Sequence, residues 1–314
     1  MSLLPQRRLG ASTRRISAIG FGCASYWAHP RFPEERARSV LERALTLGVN
    51  FYDTGASYAG GLAERRLGRL VRELGLDPHE LLVATKIGTL MDAGGRRIRD
   101  FRPDSIADQL AASLDRLGME RVALLQLHGP RPEELTDELL SALERQRHLG
   151  RVALLGVNGS DASIARAIDS GIFDVVMPFL SVLRPQGRPL ARVAAAADVG
   201  VVAAEPLGRM LFAPPLRKWL TSASGFWYLA RALATGPRTF TSGRQLRRAL
   251  RAPGWSPAQL ALNWVLEQPG IASAVVGSTN PEHLSELARV VERPMPERVS
   301  RALDDLLGHG GPAA

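Results

Sequence analysis

VALLQLHGPRPEELTDELLSALERQRHLGRVALLGV, residues 122–157, decides the fold. Two apolar runs, VALLQLH (122–128) and VALLGV (152–157), flank a stretch with helical periodicity over 133–148 that stops at Gly150. The runs do not alternate apolar with polar residues, so each reads as a strand covered on both faces, as in a parallel sheet. Parallel neighbours need a crossover, and the helix supplies one.

The same unit repeats in both directions. Upstream, helices are predicted over 33–47, 62–74 and 103–117, with strands VNFYD (49–53) and LLVATKI (81–87) between them. Downstream, helices over 161–169 and 188–198 alternate with strands FDVVM (173–177) and VVAAE (201–205). After a long basic insertion, about 206–255, come a helix over 257–267, the strand ASAVV (272–276) and a helix over 281–292. ISAIGFG (16–22) provides a first strand, and with Arg8-Leu9 across the turn-rich GASTRR it reads as an N-terminal hairpin. Eight buried strands alternating with helices predict a TIM (β/α)8 barrel filling residues 1–314 as one domain, with extra helical segments at the C-terminus, the last near 297–307. A doubly wound sheet binding a dinucleotide would carry G-x-G-x-x-G, and GFGCAS has only the first two glycines.

Composition narrows the function. The 314 residues hold a single cysteine, Cys23, which excludes an intrachain disulfide framework and a multi-cysteine zinc site, and no metal site is expected. No apolar run is long enough to span a bilayer, and the first twenty residues lack a signal-peptide pattern, so a cytoplasmic protein is expected. The net charge is +9, yet residues 206–266 contain no Asp or Glu and nine Arg or Lys, so the whole excess belongs to that segment. It reads as a lid with solvated arginines, as a surface for an anionic ligand, or as a surface helix that touches acidic lipid or an acidic protein. Nucleic-acid binding is disfavoured, since no recognition module accompanies the charge.

Chemistry in a barrel sits at the C-terminal ends of its strands. Asp53 ends the second strand, with Tyr58 in the following loop; Lys86 ends the third and His128 the fourth. Taken singly, each has a plain structural explanation: a turn aspartate, a loop aromatic, a core histidine. Lys86 resists that treatment, because it is one of only two lysines in the chain and sits in a buried strand. A buried lysine needs an anion, and Asp53 is the nearest candidate by topology. An ammonium beside Tyr58 would lower the phenol pKa from its ordinary value near 10, turning it into a proton donor for a carbonyl oxygen that His128 helps to hold. No side chain donates hydride, so a cofactor must. Tyr26 and Trp27, in the loop after the first strand, are candidates to line the substrate pocket.

At this point the chain resembles the aldo-keto reductases. The matching segments are NFYDTGASYAGGLAERRLGRL, LLVATKIG, LLQLHGP, GRVALLGV and PAQLALNWVLEQPGIASAVVGSTNPEHLSEL, in the family's order. The resemblance implies an Asp–Tyr–Lys–His tetrad at Asp53, Tyr58, Lys86 and His128, a small-molecule carbonyl substrate, and NADPH as cofactor, with NADH open; the basic insertion leaves an anionic substrate open. It places Gly22 and Asn158 near the cofactor, the latter where the family has a Ser-Asn pair. Met177 stands in place of a glutamine that grips the carboxamide, and a thioether cannot reproduce an amide's donor and acceptor. Leu207, Gly208 and Arg209 resemble the pyrophosphate turn; Gly277, Ser278, Thr279, Asn280, His283 and Glu286 resemble the adenosine-phosphate segment. His283 takes the position of an arginine that commonly binds the 2′-phosphate. A binding or regulatory barrel, or a lyase or isomerase reusing the tetrad, are the competing readings. Oligomeric state has no signature in the sequence.

Overall fold

The structure is a computed structural model that describes residues 3–208, 226, 230 and 245–307, apart from 79, 93 and 292. Most of the basic insertion, Arg209 included, lies outside the described residues.

An antiparallel hairpin, β1 (Gln6–Arg8) and β2 (Arg15–Ser17), comes first, and β3 (Ile19–Gly22) opens the barrel. The other barrel strands are β4 (Phe51–Asp53), β5 (Leu82–Ile87), β8 (Val122–His128), β9 (Val152–Gly159), β10 (Val175–Pro178), β11 (Gly200–Ala203) and β12 (Ile271–Val276). All neighbours are parallel, and β12 pairs with β3 through Ala274↔Ile19 and Val276↔Phe21 to close the circle. A second hairpin, β6 (Thr89–Met91) with β7 (Arg97–Arg99), springs from the end of β5; the sequence reading did not foresee it.

Helices α1 (Glu34–Thr46), α2 (Leu62–Glu73), α3 (Ile106–Leu117), α4 (Asp137–His148), α5 (Asp161–Ser170) and α6 (Gly187–Ala196) follow the strands, with α7 (Pro257–Leu266), α8 (Pro281–Ala288) and α9 (Glu297–Leu307) beyond the insertion. Their starts are chemically marked. Thr136 accepts from Leu139 N at the head of α4, and Ser256 with Gln259 forms a capping box ahead of Pro257. The expected helix over 133–148 starts later because Pro132–Glu134 makes its own 3-10 turn and Leu135 leaves helical geometry. The one expected over 281–292 ends at Ala288.

Two apolar layers hold the molecule together. Leu4, Ala37, Leu41, Leu67, Leu110, Leu139 and Ile164 belong to the layer between strands and helices. Leu9, Ile16, Phe51, Leu82, Leu124, Val175, Met177, Val202 and Ala272 fill the barrel itself. Leu9 and Ile16 come from the first hairpin, which plugs the N-terminal end of the barrel; its turn sits so close to β11 that a Cβ on Gly10 would lie 2.4 Å from Gly200 N. The interior is therefore greasy at the bottom, and polar groups are displaced to the opposite end.

Candidate active site

Strand alternation decides which side chains enter the barrel. Phe51, Leu82 and Leu124 all belong to the interior cluster. Two residues further on in each strand lie Asp53, Ala84 and Gln126; two more give Lys86 and His128. The register places Asp53 beside Ala84 and Lys86 beside Gln126, so these groups form one polar layer over the apolar plug.

Lys86 is 1% exposed. Its Nζ lies 2.5 Å from Asp53 Oδ2 and donates to Thr54 O at 2.9 Å. Gln126 Nε2 donates to the other carboxylate oxygen at 3.0 Å, while its own Oε1 has no hydrogen-bond partner among the described residues. The side chain of Gln126 fits because β9 offers Gly156 opposite it, where a Cβ would lie 3.2 Å from Gln126 Cγ.

Tyr58 is delivered by the loop after β4, which keeps hydrogen-bonding to β5 as it leaves the sheet: Thr54 N donates to Ala84 O and Ala56 N to Lys86 O. Gly55 then lets ring and lysine close up, since a Cβ there would sit 3.3 Å from Lys86 Cβ and 3.5 Å from Tyr58 Cε2. The Lys86 ammonium lies 4.9 Å from the Tyr58 ring centroid. Just beyond, Ala59 takes a left-handed φ of 50°, a conformation that costs a residue with a Cβ and is held by its surroundings.

His128 stands edge-on to the Tyr58 ring, centroids 5.5 Å apart, with Nδ1 3.2 Å from Ser57 Oγ. If the Ser57 hydroxyl donates, the ring proton belongs on Nε2. Burial, with help from the charges of Lys86 and Arg97, lowers the His128 pKa to about 3. Burial alone would lower that of Lys86 too, but Asp53 and Tyr58 outweigh it and hold the amine above its ordinary value, so it stays charged. Burial pushes the Asp53 carboxyl up against the opposing pull of Lys86 and Gln126.

The histidine has a measurable consequence. An unfolded chain protonates a histidine near pH 6.5, whereas this site refuses the proton until about pH 3. Between those values the unfolded state binds more protons, so stability falls as pH falls. Urea unfolding at pH 6.5 and 4.5 should show the wild type losing about 2 kcal/mol more than His128→Asn over that interval.

The expected cofactor residues fall into two groups. Gly22 and Gly277 meet at the mouth ends of β3 and β12, where a Cβ on Gly277 would lie 3.6 Å from Gly22 O. Ser278 Oγ accepts from Asn280 N, and Asn280 caps α8 by accepting from Glu282 N. The exposed His283 lies in the first turn of α8. Glu286 offers its carbonyl to Gln259. Leu207 and Gly208 follow β11 in a turn closed by Gly208 N on Glu205 O, after Glu205 with its left-handed φ of 53°. Asn158 lies across the barrel, its Nδ2 donating to Met177 O at 2.8 Å, and among the described residues its Oδ1 accepts no hydrogen bond. Met177 itself is packed in the interior cluster.

Both aromatic candidates are buried in the strand–helix layer. Tyr26 stacks on His29 and packs edge-on against Phe32. Trp27, expected to line the pocket, is 1% exposed and buried in the strand–helix layer, edge-on to Phe21 with its indole N–H on Ala37 O. Buried Arg66, which the sequence reading did not single out, donates to the carbonyls of Trp27 and Phe32 and pairs with Glu34, turning the indole inward. Ser57 and Gln126 were not singled out either. Gln126 had a signal, its even spacing from His128 on one strand; Ser57 had none.

Fold and polar layer together define a (β/α)8 protein whose ionisable groups collect at one mouth of the barrel. The chain belongs to the Aldo/keto reductase family, whose sequence pattern matches residues 18–307, and that family is one of oxidoreductases. It is 29% identical over 287 residues to the uncharacterized oxidoreductase YqkF of Bacillus subtilis, covering 90% of this chain and 89% of that protein. It is 26% identical to the NADP(+) aldo-keto reductase yakc of Schizosaccharomyces pombe, covering 90% and 85%. Among solved structures, the holo form of the aldo-keto reductase AKR11C1 from Bacillus halodurans superposes with a TM-score of 0.82 at 22% identity, covering 98% of each chain, a likeness of fold. Among the described residues no helix is long and apolar enough to cross a membrane.

Proposed function

We propose that the protein reduces an aldehyde or ketone to an alcohol, with Tyr58 giving the proton to the carbonyl oxygen and a nicotinamide cofactor giving the hydride. The observation that carries this reading is the buried Lys86 ammonium, 2.5 Å from Asp53 and 4.9 Å from the Tyr58 ring. An ammonium fixed there favours the phenolate over the phenol, so Tyr58 parts with its proton more readily than a free tyrosine. Asp53 keeps the amine charged and, with Thr54 O, fixes its position. Neutral His128, which carries its ring proton on Nε2 when Ser57 donates to Nδ1, holds the substrate oxygen and stabilises the charge that grows on it.

The residues present fit a nicotinamide dinucleotide. Asn158 Oδ1, which accepts no hydrogen bond among the described residues, would accept a carboxamide N–H, while the turn 277–280 and the first N–H groups of α8 suit phosphate. Met177 contributes only apolar contact. When bound, the cofactor supplies hydride to the carbonyl carbon. The family generally uses NADP(H), and one relative carries NADP(+) in its name, which supports NADPH. His283 in the first turn of α8 is a weaker phosphate partner than an arginine, so preference for NADPH over NADH is expected to be modest.

The test is carbonyl-dependent loss of absorbance at 340 nm, with NADPH and then NADH, across aliphatic, aromatic and sugar-derived carbonyls. Turnover with at least one class is expected. Cofactor binding by fluorescence without any turnover would replace this reading with a binding role, and product formation with no net change at 340 nm would replace it with a lyase or isomerase.

A further inference from the structure

We propose that the substrate carries an anionic group, a carboxylate or a phosphate, and that Arg97 binds it at the mouth of the site; this rests on the reductase reading above.

The hairpin β6–β7 supplies the geometry. Its register pairs Thr89 with Arg99, Leu90 with Ile98 and Met91 with Arg97. Alternation therefore puts Thr89, Arg99, Met91 and Arg97 on one face and Leu90 with Ile98 on the other. The first face is turned toward the end of the His128 strand: Thr89 Oγ1 donates to His128 O at 2.7 Å and Arg99 Nη1 to Gly129 O at 2.9 Å. Ile98, on the far face, is 42% exposed. Arg97 is thus carried by a strand pinned to the residue that faces Tyr58.

Charge pairing then singles it out. RRIRDFR, residues 96–102, has four arginines. Arg96 pairs with Asp92 at 3.0 Å, Arg102 with Asp100 at 3.0 Å, and Arg99 with Glu134. Among the described residues Arg97 has no acidic partner, and the residue is exposed. Its charge is also the last of three causes, after burial and Lys86, that lower the basicity of the His128 ring. Inside the site the other charges cancel, Lys86 against Asp53, and His128 is neutral. Among the described residues Arg97 is thus a cation on this face of the hairpin that no carboxylate offsets, whereas Arg99 beside it is offset by Glu134. A guanidinium offers a planar fork that matches carboxylate and phosphate.

The experiment compares matched substrates with the cofactor saturating. Succinic semialdehyde is set against its methyl ester, and glyceraldehyde 3-phosphate against glyceraldehyde; the two pairs separate carboxylate from phosphate. Wild type should favour the anionic member of at least one pair. Arg97→Ala should lower kcat/KM for that member about 10- to 100-fold more than for its neutral partner, mainly through KM. Arg97→Lys should recover part of the ratio, and Arg96→Ala, one residue away, should leave it unchanged. Equal effects of Arg97→Ala on both members of both pairs, or none on either, overturn the proposal. If wild type reduces no carbonyl with either cofactor, the reductase reading fails separately. Calorimetric titration with succinate and inorganic phosphate then decides: binding weakened by Arg97→Ala upholds the anion site, and equal or absent binding overturns it.

Discussion

Tyr58→Phe should lower kcat by about two to four orders of magnitude while leaving cofactor affinity within a few-fold of wild type. The substitution takes away one oxygen and little else. The ring remains to pack edge-on against His128, 5.5 Å between centroids, and under the Lys86 ammonium at 4.9 Å. Lys86 keeps its bonds to Asp53 and Thr54 O, so the polar layer is not left with an unpaired charge. What disappears is the acid that meets the carbonyl oxygen as charge grows there. Single-turnover kinetics with deuterated cofactor would locate the loss in the chemical step. A variant that kept near-normal kcat would move the proton donor elsewhere, and with it the meaning of the buried lysine.

The pattern of what the sequence disclosed follows from where physical constraint is local. Asp53, Lys86 and His128 were legible because each ends an apolar strand, and a barrel forces consecutive strand ends to meet. Lys86 was the firmest, since a buried ammonium demands a partner whatever the fold. Gln126 was available by the same logic and was passed over because a polar residue inside a strand carries no obvious role until Asp53 is seen beside it. The hairpin at Thr89–Met91 and Arg97–Arg99 left no signal, because strands of three residues have too short a period to read and arginines are poor strand markers. Trp27 misled for a different reason. A loop tryptophan near a strand end suggests a pocket, and only the burial of Arg66 within α2, bonded to the carbonyls around Trp27, turns the indole toward Phe21 and Ala37. Arg66 looks like one more surface charge in LAERRLGRL; tertiary contact alone reveals it as an anchor.

Lys86→Met is the second decisive case, and its effect on stability should be as large as its effect on activity. Methionine fills a similar volume but leaves the Asp53 carboxylate buried with only Gln126 Nε2 at 3.0 Å for company. Breaking one side of a buried pair typically costs about 3–5 kcal/mol, because the surviving charge has been taken out of water without compensation. The carboxyl relieves part of this by taking up a proton, so the loss should be smaller at pH 5 than at pH 8. Adding Asp53→Asn removes the stranded charge, and the double variant should recover most of the lost stability, since replacing both members of a buried pair is often close to neutral. Activity should not recover. The double variant keeps a folded barrel, the Tyr58 hydroxyl and His128, and lacks the ammonium that makes the phenol a ready donor together with the carboxylate that held it, so its kcat should stay about as low as that of Tyr58→Phe. Stability restored with turnover still absent separates the two jobs of the pair, packing and chemistry. Turnover restored along with stability would mean that Lys86 serves only to hold the barrel mouth together, and that Tyr58 acts without its help.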